Sequence, residues 1–139
     1  MDKSIASIDI DLPEIEDIPS TVALINKNDI IYKCKSQKAL RMDYEKYIHG
    51  IIFRTICIFF DIIPVNRVRL SSYTQRLVPK TGYIENDYII TCKATRNQFE
   101  RFNFQSLEHL DPIRALETCD LGRKMTKTGI FKSVSALEI

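Results

Sequence analysis

The stretch YEKYIHGIIFRTICIFFDIIP, residues 44–64, decides the fold. Tyr44, Ile48, Ile51, Thr55, Ile58 or Phe59, and Ile62 fall at helical spacing, so one stripe of a long helix is apolar. Ile52, Phe53, Ile56, Cys57 and Phe60 widen that stripe until the second half is apolar nearly all round. Such a helix is either the central element of a core or covered by a partner, and Phe53, Ile56 and Phe60 are the residues expected at such an interface. The helix begins near Ser36 or Asp43. Pro64 ends it, because its ring disfavours helical backbone at the preceding residue.

On the C-terminal side, Val65 to Leu77 and Tyr88 to Ala94 are rich in β-branched and aromatic residues. They read as a hairpin around Pro79 and Gly82. Val68, Leu70 and Ser72 share one face of the first strand, and Tyr88, Ile90, Cys92 and Ala94 one face of the second. These are the faces expected against the helix. Thr95 caps a short helix bearing Phe99 and Phe102, and Asp111-Pro112 opens another that Gly122 stops. Arg123, Lys124, Lys127 and Lys132 read as a basic tail.

On the N-terminal side, residues 22–32 look like two short strands around a turn at Asn26–Asp29. Residues 1–19 read as an acidic arm: residues 2–17 hold six acids against one base, and 18–139 hold 19 bases against 12 acids. Ile8 and Ile10 alternating with Asp9 and Asp11 would permit an edge strand, and disorder or a docked arm are both open. The expected architecture is α+β: one long central helix on a small, mainly antiparallel sheet, with two short C-terminal helices. Residues 20–139 form its single domain.

The chain of 139 residues, with 45% hydrophobic and 27% charged residues, has the composition of one globular domain. Its net charge of +2 is too small to argue for nucleic acid. Cys34, Cys57, Cys92 and Cys119 lack the close spacing of a zinc knuckle or redox dithiol and read as reduced, mostly buried thiols. That pattern, with no signal-peptide pattern at the start, leads us to expect a cytoplasmic protein. The most apolar run, Ile51 to Ile63, is too short and too charged to span a membrane.

The chemistry of catalysis is missing from the pattern. His49 and His109 have no partner at i+4, no G-x-S-x-G occurs, and the glycines are too scattered to cradle a phosphate. A two-metal nuclease needs an acid-x-Lys strand. The nearest approach is Thr91-Cys92-Lys93, where the acid is threonine. No enzyme, no cofactor and no metal site are expected. One binding surface is suggested: Arg67, Arg69 and Tyr73 on one strand face, with Lys93 and Arg96 beside them, could hold phosphates and stack a base.

The run Tyr47, Arg54-Thr55-Ile56 and Phe59-Phe60, the turn Val78-Pro79-Lys80-Thr81-Gly82, and the stretch Ile89 to Arg96 with Phe99 form a wider pattern. Phe102-Asn103-Phe104 and Asp111-Pro112 with Ala115-Leu116 complete it. Over about two thirds of the chain, this resembles the non-catalytic region preceding the nuclease domain in some bacterial Mrr-type restriction endonuclease-like proteins. The nuclease motif itself has no counterpart. The resemblance implies an accessory domain that binds a protein partner or itself, associated with a DNA-directed defence system. Nucleic-acid binding through the basic strand face is the alternative.

Overall fold

A computed structural model describes residues 4–138. The elements run β1 (Ile5–Asp11), β2 (Thr21–Asn26), β3 (Asp29–Cys34), α1 (Gln37–Ile62), β4 (Arg67–Leu77), β5 (Ile84–Thr95), α2 (Arg96–Phe99), α3 (Pro112–Glu117), β6 (Asp120–Met125) and β7 (Phe131–Lys132). The fold is α+β. Five strands form one sheet in the order β1-β4-β5-β6-β7, and β2 and β3 form a separate two-stranded ribbon. All pairings are antiparallel except β1 with β4. Parallel pairing needs a crossover, and α1 lies in it.

Ser36 caps α1, accepting the Ala39 N–H at 3.1 Å. The helix buries Tyr44, Ile48, Ile52, Ile56 and Phe60, a strict i+4 row, with His49 and Phe53 beside it. This differs from the expected stripe: Ile51 and Thr55 are half-buried, and Ile58 and Ile62 are exposed. A helix apolar on most sides has no single face marked by period alone. Phe99 and Phe102 settle the choice by stacking around Phe53, at ring centroid distances of 5.3 and 5.4 Å.

Val68, Leu70, Ser72, Ile90, Cys92 and Ala94 face the helix as expected. Tyr88 does not. The β4–β5 ladder shifts register between Ser72 and Tyr73, with Ser72 opposite Ile90 but Tyr73 opposite Tyr88. This bulge sends Ile89 into the core and turns Tyr88 to the outer face.

Of the readings left open for residues 1–19, the edge strand is the one formed: β1 borders β4, and Leu12 just beyond it is fully buried. Two further expectations are corrected. The supposed basic tail contains β6 and β7. Gly122 does not stop α3, which ends at Glu117; it lies within β6 opposite Thr91. A side chain there would meet the Thr91 hydroxyl at 2.4 Å, so the close strand approach is what requires glycine.

Candidate functional site

The sheet has a core face under α1 and an outer face. On the outer face, strand alternation places Arg67, Arg69, Ser71 and Tyr73 of β4 beside Tyr88, Thr91 and Lys93 of β5. Arg69 stands directly opposite Lys93, with Ser7 of β1 on its other side. Among the described residues, Arg67, Arg69 and Lys93 form no ion pair. Like charges across a ladder repel, so Arg69 and Lys93 with Arg67 form a cationic spot, bordered by Asp120 of β6 opposite Lys93.

The aromatic part of the expected surface is differently placed. Tyr73 and Tyr88 meet edge to face with centroids 5.5 Å apart, and the Tyr88 hydroxyl donates to Asp9 Oδ2 at 2.6 Å. That hydrogen bond raises the Tyr88 pKa. The C-terminal segment then crosses this face. The Val134 N–H donates to the Tyr88 carbonyl at 2.8 Å, and the Leu137 N–H to Ser71 Oγ at 3.0 Å. It leaves Ser71 and Thr91 buried although both point away from the helix. Tyr73 is half-buried, with its ring engaged by Tyr88.

Arg96 is not part of the cationic spot. Its guanidinium donates to the carbonyls of Phe60 at 2.7 Å, Ile63 at 2.9 Å and Val65 at 2.7 Å, and lies 5.2 Å from the Phe60 ring centroid. These carbonyls have no intrahelical donor, and a cation suits the negative end of the helix dipole. Phe53, Ile56 and Phe60, expected at an interface, are buried within this chain. They serve as core residues in this fold, covered by α2 and the sheet.

Sequence reasoning missed a buried polar chain. His49 Nδ1 lies 2.6 Å from the Glu45 carbonyl, and Nε2 lies 2.6 Å from Arg123 Nη1. An arginine only donates, so Nε2 must be the acceptor and Nδ1 carries the proton. Arg123 in turn pairs with Glu117. Burial lowers the His49 pKa below its ordinary value, and the Arg123 charge lowers it further, against the Glu45 carbonyl and the Glu117 and Asp111 carboxylates. The unfolded chain therefore takes up a proton that the folded one resists. Stability is expected to be level above about pH 6.5 and to fall as pH drops below it. His49→Asn should flatten that slope between pH 7.5 and 5.5 in urea titrations; an unchanged slope would assign it to other groups.

Cys92 lies on the core face of β5, hydrogen-bonded with Cys119; that contact and burial hold its thiol in the protonated state. Burial pushes the Cys57 thiol up to about 11. Cys57 lines a cleft of about 400 Å³ with Phe60, Phe99, Phe104, Asp61 and Glu100. A thiol held protonated is a poor nucleophile. Among the described residues, no three His, Cys, Asp or Glu side chains gather as metal ligands, and no helix is long and apolar enough to cross a membrane.

The two short strands expected around Asn26–Asp29 form the β2–β3 ribbon; the feature missed in the sequence is its exposure. Lys27 and Asn28 have φ of 47° and 71°, the positive values of a two-residue hairpin turn. The strands pair from Thr21–Cys34 to Asn26–Asp29, yet every residue of both is exposed. The signal lay in Val22 to Ile25 and Ile30 to Tyr32, unbroken apolar runs that put apolar side chains on both faces of a ribbon. Compared with known proteins, the chain matches no family model, no curated protein and no solved structure.

Proposed function

We propose that this chain is a non-enzymatic interaction domain, an α+β body that joins another protein surface through the β2–β3 ribbon. The observation that carries this reading is the ribbon's exposure. It shows Val22, Leu24, Ile25, Ile30, Ile31 and Tyr32 to solvent, and apolar patches of that extent mark interaction sites. A lone two-stranded ribbon is marginal in water, so a cover stabilises it. The resemblance to the accessory region of Mrr-type restriction endonuclease-like proteins supports an accessory role beside a nucleic-acid-directed effector. Amide exchange tests the reading. In dilute protein, residues 21–34 should exchange orders of magnitude sooner than the central strands β4 and β5. Protection equal to theirs would mean that the ribbon is covered by its own body and is no working surface.

One observation favours a second reading. Among the described residues Arg67, Arg69 and Lys93 form no ion pair, although Asp120 stands opposite Lys93 in the ladder, and the two arginines suit a phosphate backbone. Three phosphate contacts would weaken binding roughly 20- to 40-fold for a fourfold rise in salt. Arg67→Ala with Arg69→Ala should abolish binding to a labelled duplex. No binding at low salt would remove this reading and leave the first intact.

A further inference from the structure

The ribbon's two faces differ in chemistry. Alternation and register put Thr21, Ala23 and Ile25 of β2 on one face with Ile30, Tyr32 and Cys34 of β3. No carboxylate, ammonium or guanidinium interrupts that face. Asp29 and Lys33 both point to the opposite one. The uncharged face is also the barer: Ile25 is 87% exposed, Tyr32 72% and Ile30 64%, while Val22, Leu24 and Ile31 behind them are only 40–47% exposed.

We propose that this uncharged face is covered by the same face of a second copy of the chain, so that two ribbons stack across a twofold axis. The inference rests on the interaction reading above and names its partner. Three points select a second copy. An isologous contact must be self-complementary, and an apolar face without charge meets itself with no unpaired or repelling group. The chain's net charge is only +2, so little long-range repulsion opposes the approach of two copies. The area also suffices. With side chains of this size exposing on the order of 150–250 Å² each when free, the face offers roughly 500 Å² per copy. Two copies together thus reach about the 1,000 Å² that separates specific interfaces from incidental contact. Stacked sheets lie about 10 Å apart, a distance that interdigitating isoleucine and tyrosine side chains fill.

The test is sedimentation equilibrium of the full chain, with amide exchange of residues 21–34. At about 50 µM, above the micromolar dissociation constants usual for interfaces of modest size, the wild type should run at twice the chain mass. The ribbon amides should become protected as concentration rises. Ile25→Lys with Ile30→Lys places charge at the centre of the stack and should weaken association at least about 100-fold. Both residues are exposed and pair only with each other in the ribbon, so at a concentration where both proteins are monomeric the thermal unfolding of the α+β body should be unchanged. Leu24→Lys, on the opposite face, should leave the dimer intact. A double variant that remains dimeric overturns the proposal, since association then uses another surface. A wild type monomeric at this concentration with fast-exchanging ribbon amides overturns the second copy as occupant, while the interaction reading stands. A monomer whose ribbon amides are already protected overturns both.

Discussion

Leu12→Ala is expected to destabilise the protein by about 3 kcal/mol, within the range for emptying a leucine site in a packed core. For a domain of this length that is a fall in Tm of roughly 10 °C. The expectation rests on the burial and hydrogen bonds that tie Leu12 and Pro13 to the body. Leu12 is 1% exposed, its N–H donates to the Tyr73 carbonyl at 2.8 Å, and the Tyr44 hydroxyl of α1 donates to the carbonyl of Pro13 at 2.7 Å. Together they bring the parallel strand β1 onto β4 with Ile8 opposite Leu70. A detachable arm predicts the opposite, a change within about 0.5 kcal/mol, as for exposed positions. Urea unfolding of Leu12→Ala beside Ile25→Ala separates the two, because Ile25 is apolar but exposed. Equal, small effects would show that β1 leaves the sheet at little cost.

Arg96→Ala should be of similar size, about 3 kcal/mol, since it removes charge-assisted hydrogen bonds from three carbonyls at the end of α1. Water can reach part of this site, which keeps the cost below the sum of the separate bonds. Arg96→Lys restores the charge but not the planar fork. One ammonium cannot serve carbonyls of Phe60, Ile63 and Val65 in the geometry that Nε, Nη1 and Nη2 use. It should recover less than half of the loss. Full recovery with lysine would mean that the helix dipole, and not directed hydrogen bonding, makes the contribution. Near-neutral Arg96→Ala would return Arg96 to the surface and make it available to a phosphate.

The elements that were legible in the sequence are those whose signals are local. Pro64 ends α1 because of its own ring, Ser36 and Thr95 cap because their hydroxyls reach nearby N–H groups, and Asp111-Pro112 starts α3 for the same reason. The hairpin between β4 and β5 follows from β-branched content and a Pro/Gly turn. What could not be read is pairwise. The bulge that moves Tyr88 outward depends on how β5 meets β4, and the requirement for glycine at 122 depends on Thr91 across the ladder. His49 became a neutral acceptor only when Arg123, 74 residues later, arrived beside it.

The candidate surfaces divide along the same line. Arg67, Arg69 and Lys93 share a face because strand alternation is dictated by the chain itself. Arg96 is one residue past the strand, where the α1 terminus captures it. Phe53, Ile56 and Phe60 are apolar enough for either core or interface, and only the arrival of Phe99 and Phe102 makes them core. The ribbon shows the reverse case: its apolar residues would be read as core in any sequence, and the tertiary structure leaves them uncovered.

Taken alone, the sequence determined the α+β class, the end of the central helix, the caps of the two short helices, and the lack of a recognisable catalytic motif, because each depends on residues within one turn or one strand. The tertiary structure decided which of several apolar faces is inside, where the first strand inserts, and that β2–β3 stands exposed. Hydrophobicity states only that a side chain gains by leaving water, and the packing of distant segments determines what covers it.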